Sequence, residues 1–96
     1  MFTKTLSFIE VKHGIIRIAA AFRDKFPAPG HEVTLIDNSG IEFVSHMHNQ
    51  VGRIDGLTAM HKLNHAHEGT IITVSAIEGR PSTYSVIYQS KQYFLP

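Results

Sequence analysis

The opening segment of this chain changes conformational preference several times, and this pattern constrains the fold more than any other feature. Residues 2–27 read FTKTLSFIEVKHGIIRIAAAFRDKFP. Phe2 to Leu6 predicts a strand and Ile15 to Ile18 a second one, because aromatic and β-branched residues favour the pleated conformation. The alanine-rich segment from Ala19 to Phe26 predicts a short helix that Pro27 ends.

The rest of the chain continues with short elements separated by turn signals. Asn38-Ser39-Gly40 is a turn signature between two alternating segments and predicts a hairpin. Asp55 is expected to cap a second short helix through about Leu63. The further predicted strands are Glu32 to Asp37, Ile41 to Ser45, Thr70 to Ile77 and Thr83 to Tyr88. About seven short strands and two short helices indicate a mainly β barrel or sandwich, and periodicity alone leaves both open.

Composition excludes several classes of protein. The 96 residues, 43% of them apolar, predict a single domain over 1–96 with one core. There is no cysteine, which excludes disulfide frameworks, thiolate zinc sites and cysteine nucleophiles and fits a reducing compartment. No apolar run approaches the ~20 residues that span a bilayer, and Lys4 and Glu10 lie where a signal peptide needs an apolar core. We therefore expect an intracellular chain with no membrane partner.

Positive charge is concentrated near the N-terminus. The net charge is only +1, yet the chain through Phe26 contains Lys4, Lys12, Arg17, Arg23 and Lys25 against Glu10 and Asp24. Binding to phosphate is therefore expected to be local rather than general. Arg23 and Lys25 fall in the predicted helix and are interpreted as solvated side chains.

The opening segment resembles that of a B3-type DNA-binding pseudobarrel. That family begins with a strand of the form Phe-x-Lys-x-Leu-Thr, which is matched by Phe2, Lys4, Leu6 and Ser7. A polar loop, a short apolar strand, a small helix and a Phe-Pro stop follow in the same order. The pair His13-Gly14 is similar to the auxin-response branch. The resemblance implies a seven-stranded open β-barrel with two short α-helices, gripping DNA between two loop arms.

The resemblance continues over most of the chain, with informative departures. The positions that match the family pattern are Phe43, Arg53, Gly56-Leu57, Asn64 and Gly69. Ala19 replaces a proline, Leu57 a tryptophan and Thr70 an aspartate, and the second arm is shorter than in plant members. These departures leave room for the prokaryotic relatives, in which such pseudobarrels recognise DNA for restriction endonucleases. A cytoplasmic prokaryotic protein is therefore expected, with a nuclear location as the alternative if the protein is from a plant.

The resemblance assigns the first arm to basic residues around the first loop. Lys4, Lys12 and Arg17 would neutralise phosphate or read guanine, and His13 matches a groove-facing histidine of the family. Gly14 would allow the backbone to approach DNA closely. The alternative is that these cations are ordinary surface charges.

The second arm runs from Ser45 to Arg53, and its side chains suit a major groove. Asn and Gln can pair bidentately with adenine, and Arg with guanine. His can donate to a phosphate or a base, and Met can contact a thymine methyl. The arm residues assigned to DNA are Ser45, His46, Met47, His48, Asn49, Gln50 and Arg53. Taken alone, the segment would also suit a solvated hairpin loop.

Metal binding and ligand binding are the alternatives to DNA binding. His46 and His48, with His61, His65 and His67, could form a metal site, and a small barrel could hold a ligand. However, the sequence contains no metal-binding or catalytic motif with a characteristic spacing. No cofactor and no enzymatic activity are therefore expected in this chain. We expect sequence-specific binding of double-stranded DNA in the major groove. The chain would be a stand-alone binder or the recognition module of a restriction-modification system, with any nuclease on another segment or subunit.

Overall fold

A computed structural model describes residues 1–50 and 52–89. Their strands form one seven-stranded sheet in the order β1-β6-β7-β3-β4-β5-β2, curled into a half-barrel. The strands are β1 (Phe2–Thr5), β2 (Ile16–Arg17), β3 (Glu32–Ile36), β4 (Glu42–Met47), β5 (Arg53–Asp55), β6 (Ile71–Ala76) and β7 (Thr83–Gln89). The helices are α1 (Phe8–His13), a 3-10 helix (Ala20–Lys25) and α2 (Thr58–Leu63). The predicted open barrel with a mainly β fold is confirmed.

The hydrophobic core fills the inside of the curled sheet. Alternate residues of the strands point inward, as Val33 and Leu35 do in β3, where both are fully buried. Met60 of α2 is equally buried and covers the interior. An aromatic group extends the core at one end, where Phe26 stacks on Tyr84 with ring centroids 4.4 Å apart. Within the described residues no helix is long and apolar enough to cross a membrane.

The predicted hairpin is formed by β3 and β4, with Leu35 opposite Phe43. Its turn is held by the buried carboxylate of Asp37, which accepts the backbone N–H groups of Ser39 and Ile41 at 2.9 and 3.0 Å. The Asn38 side chain reaches β7 and makes two hydrogen bonds to the backbone of Tyr88, of 2.7 and 2.9 Å. The turn therefore joins the hairpin to the neighbouring strand of the sheet.

The first predicted loop is a helix instead. Ser7 accepts the N–H of Glu10, while the Glu10 carboxylate accepts the N–H of Ser7, which is the reciprocal capping box that begins α1. Gly14 ends the helix with a left-handed φ of 64°. The expected polar loop was wrong because this capping pattern makes a six-residue helix stable between two strands.

Two further expectations about local structure are corrected. The segment after Ala19 is helical as expected, but it forms a 3-10 helix rather than an α-helix. Asp55 does not cap α2, since it lies in β5, and Leu57 occupies the cap position without a side-chain hydrogen bond. The three-residue strand β5 is recruited by pairing with β4 on one side and β2 on the other.

Candidate nucleic-acid interface

Two arginines lie side by side where β2 pairs with β5. The inward partners Ile16 and Ile54 are opposite one another and fully buried. Arg17 and Arg53 form the next pair in this register, so their side chains project together from the outer face. Like charges directly opposite each other are destabilising in an antiparallel pair. The sheet edge therefore places two guanidinium groups side by side, and the carboxylate of Asp55 offsets part of their charge.

Three adjoining depressions lie along this edge. The first, of about 440 Å³, lies between α1 and β5 and contains His13 and Arg53. The second, of about 250 Å³, is lined by Arg17, Arg23 and Arg53. The third, of about 240 Å³, shares Arg23 with the second and extends to Gln50. Because the first and second depressions share Arg53, and the second and third share Arg23, we call the three together the basic trough; its polar residues are His13, Arg17, Arg23, Gln50, Arg53 and Asp55.

Arg23 is a member of the trough that sequence reasoning missed. Its Nε donates to the carbonyl of Ile18 at 3.2 Å, which turns the side chain back toward β2. The guanidinium then lies so close to Gly52 that a Cβ there would stand 2.9 Å from its Cζ. Gly52 in turn accepts the Ile18 N–H at 2.9 Å. Because this contact joins segments about 30 positions apart in sequence, no local pattern signalled it.

The residues predicted to form the first arm lie at the exposed C-terminal end of α1 and just beyond it, not in a loop. Lys12 and His13 are exposed there, with the Lys12 ammonium 5.8 Å from the centroid of the Phe8 ring. Gly14 is buried against α2, where an added Cβ would stand 2.5 Å from the backbone nitrogen of Thr58. The close approach that Gly14 permits in this structure is to α2, and the expected approach to DNA stays a prediction.

Lys4 is held inside the protein surface by a buried carboxylate. Its ammonium donates to Glu10 at 2.5 Å and to the carbonyl of Arg17 at 3.0 Å. Glu10 also accepts the N–H of Arg17 at 2.9 Å. Burial by itself would raise the pKa of Glu10, but these hydrogen bonds and the Lys4 charge together hold that pKa below its ordinary value. Lys4 and Glu10 therefore hold the end of β2 at Arg17, and the charge of Lys4 is largely neutralised.

The segment predicted as the second arm joins β4 to β5, and residues 45–50, 52 and 53 of it are described. His48 donates its backbone N–H to the carbonyl of Arg53 at 2.9 Å and so closes the arm. The Nδ1 of His48 accepts the N–H of Gln50 at 3.1 Å, which orients the tip. His46, Asn49 and Gln50 are exposed on this arm, as expected of side chains available to a ligand.

Two residues assigned to the second arm turn inward. Met47 is buried in the core, with 4% of its surface exposed, and it pairs with Ile54 of β5. Ser45 is also buried, and its hydroxyl donates to the carbonyl of Asp55. Both follow from the alternation along β4, which points His46 outward and its two neighbours inward. The structure therefore places Ser45 and Met47 on the inner side of β4, which differs from the expectation that their side chains are exposed on the second arm.

The histidines suggested for a metal site do not gather into one. His61 is buried, with Nε2 3.0 Å from the carbonyl of Ile15 and Nδ1 2.7 Å from the hydroxyl of Tyr88. A carbonyl can only accept, so Nε2 carries the proton, and in the neutral ring Nδ1 accepts from Tyr88. Burial lowers the pKa of His61. Over residues 1–50 and 52–89, no three His, Asp or Glu side chains converge as metal ligands.

The chain has the fold of a B3-like pseudobarrel, as comparison with three solved structures shows. It is similar to the Arabidopsis FUS3–DNA complex, with a TM-score of 0.76 and 13% identity over 95% of this chain and 97% of that one. A hypothetical Arabidopsis thaliana protein gives a TM-score of 0.69 and 25% identity over 92% and 87% of the two chains. The N-terminal domain of Helicobacter pylori LlaJI.R1 gives 0.63 and 12% over 90% and 77%. No family model and no curated protein sequence matches the chain.

Proposed function

We propose that this protein binds double-stranded DNA through the basic trough and the two arms beside it, and that it prefers a particular base sequence. The observation that carries the proposal is the outward pair of Arg17 and Arg53, joined by Arg23, on a fold shared with a protein solved in complex with DNA. Three guanidinium groups on one concave edge suit a polyanion, because phosphate contacts supply most of the affinity for nucleic acid. The single acidic side chain among the polar residues of the trough is Asp55, which is paired with Arg53.

Different exposed side chains contact the phosphates and the bases. Lys12, Arg17 and Arg23 are exposed cations that contact phosphate and position the duplex. Asn49 and Gln50 protrude from the second arm, where their amides can form paired hydrogen bonds with an adenine edge. The major groove is about 12 Å wide and admits such a narrow projection. His13 in the trough and His46 on β4, opposite Asp55, provide further donors.

The biological setting is proposed from the same features. The chain supplies recognition and no chemistry, as a stand-alone binder or as the recognition module of a restriction-modification system. In the second setting, the nuclease lies on another segment or subunit. The similarity to a bacterial domain, that of Helicobacter pylori LlaJI.R1, supports a prokaryotic relative as well as a plant one.

Selection from a randomised duplex library tests this function. We expect enrichment of one short consensus, followed by a loss of affinity in Arg17→Ala and Arg23→Ala when binding is measured by fluorescence anisotropy. Arg80→Ala is a matched control, because it removes the same charge from an exposed pair with Glu42 at the far end of β4. Absence of enrichment, or equal losses in the control, would overturn the proposal.

A further inference from the structure

The carboxylate of Asp55 and the guanidinium of Arg53 form the most constrained charged group in the basic trough. Arg53 donates its Nε to Oδ1 of Asp55 at 2.8 Å, and the two side chains are 33% and 24% exposed. Both residues belong to β5 and are separated by one residue, so they project from the same face of the strand. The guanidinium is therefore held against the sheet by a partner on its own strand.

The contact with Asp55 determines which donors remain free. A guanidinium has five N–H donors in a rigid planar fork, and Asp55 takes the one on Nε. Neither terminal nitrogen has a hydrogen-bond partner among the described residues, and the far edge of the fork carries one N–H from each of them. Two parallel donors in one plane match the O6 and N7 acceptors of guanine in the major groove. An arginine oriented in this way is suited to reading a base more than to following a flexible phosphate backbone.

The neighbouring cations differ from Arg53 in this respect. Arg17 and Arg23 are exposed, and neither has a carboxylate partner among the residues described. Arg17 is not oriented by any carboxylate, and Arg23 is held through Nε by the carbonyl of Ile18, whereas Arg53 is oriented by a negative charge on its own strand. The repulsion between Arg17 and Arg53 across the strand pair would otherwise turn the Arg53 side chain away, and the negative charge of Asp55 opposes that movement.

We propose that Arg53 reads one guanine of the target site and that Asp55 is the positioning residue that aims its guanidinium at the base. This inference rests on the proposed function and names the base that the trough recognises. Guanine recognition then depends on a residue that does not itself contact DNA. Substituting Asp55 should change base discrimination more than it changes general affinity for DNA.

The test compares the selected duplex with the same duplex containing 7-deazaguanine, which lacks the N7 acceptor, at each guanine in turn. In the wild type, one position should lose affinity by up to about 150-fold, which is the upper limit for a whole bidentate arginine contact, because 7-deazaguanine removes the N7 acceptor and retains O6. Asp55→Ala and Arg53→Lys should shrink this ratio toward one at that position. Glu42→Ala is the matched control, because it removes the carboxylate of the Arg80 pair outside the trough.

The outcomes separate this inference from the proposed function. If Asp55→Ala lowers the affinity for both duplexes equally, Asp55 has a merely structural role and the inference is overturned. A consensus in which no guanine depends on N7 would also overturn it, while DNA binding would stand. If the selection enriches no duplex sequence and the affinity for DNA does not depend on salt, both the proposed function and the inference are overturned. Thermal unfolding of each variant identifies folded protein before its affinity is measured.

Discussion

The guanidinium of Arg23 lies across the backbone of Gly52, at a distance that leaves no room for a side chain on Gly52. Gly52 has no left-handed φ, so alanine is compatible with its backbone conformation. The neighbouring atoms belong to a long flexible side chain, which can move. A substitution at Gly52 is therefore expected to displace Arg23 rather than unfold the protein.

Gly52→Ala should weaken DNA binding by about as much as Arg23→Ala, because both remove the same cation from the trough. The double variant should bind no more weakly than either single variant, since residues in direct contact are not additive. Duplex affinity measured by anisotropy checks this coupling. Additive losses would show that Gly52 and Arg23 act separately.

Salt dependence should be moderate, because few free cations face the duplex. If Lys12, Arg17 and Arg23 each neutralise one phosphate, log affinity should fall against log salt concentration with a slope of roughly −2.7. Arg23→Ala should reduce that slope by about one, whereas Arg80→Ala should leave it unchanged. A wild-type slope near zero in the same titration would contradict phosphate binding altogether.

Gly14→Ala should destabilise the fold strongly, because it combines backbone strain with a steric overlap. The left-handed φ of 64° alone costs a non-glycine residue roughly 1–3 kcal/mol. An added Cβ would also overlap Thr58 at the start of α2. Gly40→Ala is the control, because its φ of 80° carries the conformational cost with nothing within 4 Å. Urea unfolding should show a clearly larger loss at Gly14 than at Gly40; equal losses would dismiss the overlap.

Acid should destabilise the protein through His61. Its pKa in the folded state lies below the ordinary 6.5, because burial disfavours the charged ring. The unfolded chain therefore binds the proton more readily, and stability is lost as pH falls below about 6.5 toward the lowered pKa. One such proton contributes at most about 1.4 kcal/mol per pH unit. The free energy of unfolding at several pH values measures this slope.

Two variants test whether His61 causes that dependence of stability on pH. His61→Gln should flatten the slope just below pH 6.5, while His65→Asn, at an exposed position, should retain it. An unchanged slope in His61→Gln would attribute the effect to another group. A separate loss is expected at lower pH from Glu10, whose pKa is held below the ordinary 4.5 in the folded state. Its stabilising contribution is present above that value and disappears as the carboxylate is protonated.

The parts of the fold that depend on local signals were predictable from the sequence. The hairpin around Asn38-Ser39-Gly40 and the strands β6 and β7 were recognised because alternation and turn residues act over a few positions. The capping box of Ser7 and Glu10 is equally local, so α1 could have been read from the Ser-x-x-Glu pattern. The resemblance to B3 domains chose the open barrel, which periodicity alone did not.

The trough was decided by tertiary structure. β5 is three residues long and exists because β4 and β2 pair with it, so no local periodicity marks it. That pairing sets Arg53 beside Arg17, and the return of the 3-10 helix brings Arg23 onto Gly52. The sequence by itself determined which residues carry charge and where strands and turns begin. Which cations face the same surface depended on contacts between distant segments, because side-chain direction follows strand register and packing rather than residue type.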